Sequence, residues 1–192
     1  MCDVPVFYAT SEGQTRRIAE RIASTLREQG LSSEAFDLSN RKTKPDWLSA
    51  RAVVIGGSIH AGSHQRAVRE FVERELRHVA ARPSAFFSVS LSAGSRNPAE
   101  VGAARSLAVG FVRAAGWEPR HLACFAGTLA YTKYGLLKRL AMQYIARAEG
   151  APTDPSRDYE FTDWNAVRQF ALDVSQDVLG GRARETPAAS VA

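Results

Sequence analysis

The chain has 192 residues, 45% hydrophobic and 23% charged, a length and composition that suit one α/β domain. Its two cysteines, Cys2 and Cys124, exclude a disulfide framework, a four-thiolate zinc site and a CxxC pair, so any redox chemistry falls to a cofactor. A net charge of +5 points to an anionic partner, a small acid or a lipid surface. The basic residues are spread along amphipathic segments and form no nucleic-acid module. No stretch reaches the roughly 20 apolar residues of a membrane span. The start MCDVPVFYA lacks a signal peptide's basic and apolar regions, so a cytoplasmic location is expected.

In chain order the predicted elements are a strand at VPVFYA and a helix near 14–29, then strands at EAFDL and AVVIGGS and a helix near 65–79. A strand at SAFFSVSL with a helix near 100–115, a strand at LACFAGTL and a last helix near 163–179 follow. Alternation of short apolar runs with amphipathic helices predicts a five-stranded parallel sheet in the order 2-1-3-4-5, covered on both faces as a three-layer sandwich. Residues 131–160 are too long for a plain connection and read as an insertion after the fifth strand. The domain is expected over 1–179, and the small, polar stretch 180–192 is expected to be disordered. Cys124, in the run LACFAG, reads as a small buried hydrophobe. His64, His78 and His121 read as plain surface or strand residues.

Thr10, Ser11, Glu12, Gly13, Gln14 and Thr15 follow the first strand directly and open the first helix. Such a turn aims successive N–H groups and the positive helix end at one point, and the hydroxyls of Thr10, Ser11 and Thr15 add donors, all of which suits a phosphate. The stretch fits neither the GK[ST] form nor GxGxxG. An ordinary helix cap gives a similar pattern, so both readings stand on these residues alone.

The run Val6 to Thr15, with Ala19 and Ile22 after it, resembles the flavodoxin signature at every position. The resemblance implies a flavodoxin-like fold and FMN as cofactor, with Thr10 through Thr15 on its phosphate. It further implies that the ring lies between the loops after the third and fourth strands: Ser58, Ile59, His60, Ala61 and Gly62, and Ser90, Leu91, Ser92, Ala93 and Gly94. Flavodoxins usually flank the ring with aromatic side chains, and in these loops only His60 offers one. Contact with the ring and a plain loop role are both open to it.

VVIGGSIHAG, PSAFFSVSL, FAGTLAYTKYG and YEFTDWNAV resemble the menaquinone-dependent protoporphyrinogen IX dehydrogenase family, a branch of the flavodoxins. The resemblance implies protoporphyrinogen IX as substrate in haem synthesis, menaquinone or another quinone as acceptor, and substrate use by the insertion. Tyr131, Tyr134 and Leu137 are then candidates for an apolar wall and Arg96, Lys133 and Lys138 for cations facing propionates. No catalytic acid or base and no metal site are assigned. Within 134–149 apolar residues recur at helical spacing, with Lys138, Arg139 and Arg147 largely off the stripe. Such a helix fits an anionic membrane surface, which would place the protein peripherally on the inner face of the cell membrane; packing on its own sheet or on a second copy fits equally. Two other functions stay open, a non-enzymatic electron carrier and a binding module without flavin. The basic charge favours an enzyme over a strongly reducing carrier, and the intact phosphate turn disfavours the third reading.

Overall fold

The computed structural model describes residues 2–40, 43–129, 154 and 156–185. The strands are β1 (Val6–Ala9), β2 (Ala35–Asp37), β3 (Val53–His60), β4 (Ser63–His64), β5 (Ser84–Ser90), β6 (His121–Ala126), β7 (Thr128–Leu129) and β8 (Tyr159–Glu160). The helices are α1 (Gln14–Glu28), α2 (Arg66–Ala80), α3 (Pro98–Ala114) and α4 (Trp164–Glu185), with one short 3-10 turn at Ser92–Gly94. The sheet runs β2-β1-β3-β5-β6, all parallel, with the two-residue β4 added antiparallel to β3. Setting β4 aside, this is the expected 2-1-3-4-5 order.

Each helix follows from its apolar spacing. In α1, Ile18, Ala19, Ile22, Ala23 and Leu26 are buried at intervals of three and four, one stripe facing the sheet. The helix stops because Gly30 takes a left-handed φ of 79°, and the Leu31 N–H turns back to the Leu26 carbonyl at 3.1 Å. That stripe and α4 form one core with Val6, Tyr8, Val54 and Phe87 of the sheet. The opposite face packs Phe7, Ile55 and Phe86 against α2, α3 and Trp117. The central strand β3 is buried from Val53 through Ser58, as a parallel strand covered on both faces must be. Gly56 is required there, since a Cβ would fall 1.9 Å from the Phe87 ring.

Three expectations need correction. The last helix passes Leu179 and continues to Glu185, six residues into the segment expected to be disordered. Two glycines cost about 1 kcal/mol each in a helix, and the good helix formers after them, with no proline before Pro187, let it run on. Residues 186–192 lie outside the described residues. His64 is buried at 4% exposure rather than a plain surface residue, because β4 turns it onto Phe86 and Phe111 beside Ser88. Cys124 is half-buried rather than enclosed, at the edge strand β6, and burial still raises its thiol pKa. His78 stacks on Trp47 and His121 meets Asp177 at 3.1 Å.

Candidate functional site

The chain leaves β1 at Ala9 and turns into α1 through Gly13, whose φ of 98° closes the loop before the helix. A side chain there would be strained, so this position calls for glycine. The Gly13 N–H donates to Thr10 Oγ1 at 2.9 Å, which fixes the turn from within. No side chain caps α1 and its first turn holds no acid. α2 is likewise uncapped, whereas at α3 Asn97 accepts from Ala99 and at α4 Asp163 accepts from Asn165 and Ala166. The α1 end thus keeps its positive pole and first-turn N–H groups turned to a cleft. Thr15, 1% exposed, lies in the cleft wall.

The cleft has a volume of about 300 Å³ and lies at the carboxyl ends of β1, β3, β5 and β6, where open α/β sheets bind ligands. It is lined by Thr10, Glu12, Gln14 and Thr15 from the phosphate turn, by Ser58, Ile59, His60, Ala61 and Gly62, and by Ser90, Leu91 and Ser92. Three distant stretches named from sequence therefore meet in one depression. Ser11, Gly13, Ala93 and Gly94 do not line it and act on its shape. Gly94 is held so close to Ala126 that a Cβ would fall 2.7 Å from that methyl.

The stretch expected as a loop after the third strand is instead strand and hairpin. β3 continues through Ser58, Ile59 and His60, and two residues, Ala61 at φ 48° and Gly62 at φ 77°, turn the chain into β4. Two positive φ values are what a two-residue type I′ connection needs. His60, half-buried, faces the cleft from this hairpin. Beneath it the His64 Nε2 and Ser88 Oγ are 2.9 Å apart. Burial, followed by the charge of Arg69, lowers the His64 pKa to about 4, so the ring is neutral near pH 7.

Residues that the sequence reading missed complete the cleft. Val89, Gly127 and Thr128 line it. Gln65 accepts from the Ser58 N–H at 2.9 Å and donates to the Ser58 hydroxyl and, at 3.4 Å, to Ser11 Oγ, tying hairpin to phosphate turn. The position of Thr128 after the fifth strand was the available signal, since every other wall comes from a strand end; Gln65 had none. The Gln14 side chain turns to residues far along the chain. Its Nε2 donates to Glu160 Oε1 at 2.9 Å and Thr162 Oγ1 at 2.8 Å. Burial pushes the Glu160 carboxyl up, but hydrogen bonds from Arg17 and Gln14 and the Arg17 charge hold it below the usual range. Arg96 is exposed beyond the 3-10 turn and does not line the cleft. Tyr131, Lys133, Tyr134, Leu137 and Lys138 lie outside the described residues, as does the 134–149 segment. No described helix is long and apolar enough to cross a membrane.

A family described as flavodoxin domain matches residues 5–156. The protoporphyrinogen IX dehydrogenase [quinone] of Escherichia coli K12 is 34% identical over 171 residues, spanning 88% of this chain and 93% of that protein. The protein of the same name from Leishmania major is 31% identical over 172 residues, 88% of this chain and 72% of its own. Among solved structures, an archaeal flavodoxin superposes with a TM-score of 0.51 over 92% of this chain and 98% of its own at 14% identity. A flavodoxin of Streptococcus pneumonia TIGR4 gives 0.53 over 93% and 98% at 11% identity. The sheet order, the position of the cleft and these likenesses agree, and the chain belongs to the flavodoxin family, in the branch of the protoporphyrinogen IX dehydrogenases.

Proposed function

We propose that the chain is an FMN-dependent oxidoreductase that oxidises protoporphyrinogen IX and passes the electrons to a quinone. The observation that carries the cofactor reading is the uncapped N-terminus of α1, with no acid in its first turn, at one end of a cleft whose other end is walled by the termini of β3, β5 and β6. A phosphate satisfies the first-turn donors and the helix pole together, with Thr10, Ser11 and Thr15 able to add hydroxyl contacts. The small side chains at Ser58, Ala61, Gly62, Ser90 and Ser92 leave backbone groups accessible to a flat ring. Flavin supplies the capacity to accept electrons from an organic substrate and release them to a quinone. The substrate and acceptor are carried over from the names of the relatives.

The chain's own charge fits delivery of electrons to a quinone. A positive charge about 10 Å from the ring, at an effective dielectric near 20, favours an anionic reduced flavin by roughly 1–2 kcal/mol. For a one-electron step that moves the potential upward by tens of millivolts. Arg96, Lys133 and Lys138 are proposed to meet the substrate's propionates, and Tyr131, Tyr134 and Leu137 its apolar rim. The basic 134–149 segment is proposed to bring the protein to an anionic membrane surface. Sedimentation with anionic vesicles at low salt, and release at high salt, checks this, and equal binding to neutral vesicles refutes it. The central test measures FMN content and protoporphyrinogen oxidation with a menaquinone analogue. Flavin without that activity makes the protein an electron carrier instead.

A further inference from the structure

Gln14 occupies the first position of α1, so its backbone N–H is among the donors of the phosphate turn, while its side chain points to a different partner. Both Nε2 protons are used, toward Glu160 Oε1 and Thr162 Oγ1, and Oε1 accepts from Arg17 Nη1 at 3.0 Å. Arg17 also donates to Glu160 Oε2 at 2.8 Å, and its guanidinium lies 5.4 Å from the Trp164 ring centre. Thr162 Oγ1 donates in turn to the Ala126 carbonyl at 2.7 Å, and the Phe161 N–H donates to the Gly127 carbonyl at 3.1 Å. Gln14 and Thr162 are 7% and 9% exposed, so their mutual hydrogen bond and the Thr162–Ala126 bond are sheltered from water, while the Arg17–Glu160 pair is exposed. Between the two anchor points lie Gly127 and Thr128, which line the cleft, and Thr128 pairs with Glu160 in the β7–β8 ladder.

We propose that Gln14 is a positioning residue, not a phosphate ligand through its side chain: it transmits the set of the first turn of α1 to the Gly127–Thr128 wall by way of Glu160 and Thr162. The inference rests on the reading of Thr10–Thr15 as a flavin-phosphate turn. A phosphate held by the Gln14 N–H restrains the same residue whose carboxamide holds the wall, so filling the turn orders the wall. Conversely, a wall displaced by substrate pulls on the turn, because coupling between two sites is reciprocal.

Hydrogen exchange on the full chain tests this, with the Phe161 amide as reporter, without ligand, with FMN and with riboflavin. FMN should slow exchange there about fivefold or more, and riboflavin should not, given the usual size of coupling between sites. In Gln14→Ala the FMN response should vanish, with FMN affinity reduced less than in Thr15→Ala. Gln14→Glu should act like Gln14→Ala, since it sets a carboxylate against that of Glu160. The double variant Gln14→Glu with Glu160→Gln restores an amide facing a carboxylate and leaves Arg17 an acidic neighbour. A carboxylate at position 14 cannot donate to Thr162 Oγ1, so only the leg to position 160 is renewed and the FMN response should return in part. That rescue also distinguishes the proposal from a general loss of packing. An FMN response retained in Gln14→Ala, or protection of Phe161 that riboflavin gives equally, overturns it. So does an affinity loss in Gln14→Ala matching that of Thr15→Ala. Absence of protoporphyrinogen oxidation with FMN bound refutes the substrate assignment and leaves the exchange result standing, whereas a chain that binds no FMN refutes both.

Discussion

At the phosphate end of the cleft the wall comes from one unbroken stretch, Thr10–Thr15, fixed from within by the Gly13–Thr10 hydrogen bond. At the ring end it is assembled from the termini of β3, β5 and β6, at His60, Ser90 and Ala126, far apart along the chain, and is held by contacts among them. The first is a local device that a short motif specifies. The second depends on tertiary structure and can vary while the cofactor stays. Apart from the Gln14 link between them, substitutions at the two ends should therefore act separately on flavin retention and on substrate oxidation.

The largest expected effect concerns the ring end. Thr128–Leu129 pairs antiparallel with Tyr159–Glu160, the last residues of the 131–160 insertion, so these strands lie about 5 Å apart and a short Gly/Ser linker in place of 131–157 can join them with the pairing kept. We expect protoporphyrinogen oxidation to fall to background with FMN content retained. A shortened chain with its flavin and full activity would remove the insertion from the substrate site.

The next effect concerns the phosphate end alone. Two or more charge-assisted hydrogen bonds at about 1.5–3 kcal/mol each should make FMN bind at least about a hundredfold more tightly than riboflavin. Thr15→Ala should cost about 1 kcal/mol or more of FMN affinity, about fivefold or more, with little change for riboflavin. Fluorescence titration measures both, and equal affinities for the two flavins would end the phosphate assignment.

Acid should attack the ring end first. The His64 pKa is lowered to about 4 from 6.5, by burial and then by Arg69, so the unfolded chain takes up a proton in that window and the folded one resists it. The contribution is intact above about pH 6.5 and is lost as pH falls toward 4, by up to about 3 kcal/mol. Urea unfolding at pH 7 and pH 4.5 should show a larger loss for wild type than for His64→Leu, which has no ring to charge. Parallel losses would mean that His64 does not titrate as a buried group.

How legible each part was in the sequence follows the same division. The phosphate turn, the strand order and the stripe of α1 are written in local pattern, through period and punctuation. The side-chain partners of Gln14, Glu160 and Thr162, were not legible because they lie 146 and 148 residues away, and no local pattern announces such a contact. The hairpin after β3 was misread because Ala61, unlike asparagine, gives no turn signal while taking a left-handed φ. The overrun of α4 was missed because Gly180 and Gly181 read as a helix stop, while the helix formers after them let the helix run on.

The smallest effect tests that hairpin directly. A left-handed conformation costs an L-residue roughly 1–2 kcal/mol, and Ala61 bears it at an exposed position. Ala61→Gly removes the strain but adds freedom to the unfolded chain, which offsets about 0.4–1 kcal/mol of the gain. Ala61→Asn keeps the side chain's restraint, tolerates positive φ and creates the Asn-Gly pair that two-residue hairpins prefer. Asn should therefore stabilise by about 0.5–1 kcal/mol and exceed Gly, raising Tm by roughly 1–4 °C in a chain of this size. Calorimetry on the three proteins decides the order. If both substitutions lower Tm, the turn at Ala61–Gly62 is not the strained connection that orients His60, and the ring end must owe its shape to Gln65 and Ser58 instead.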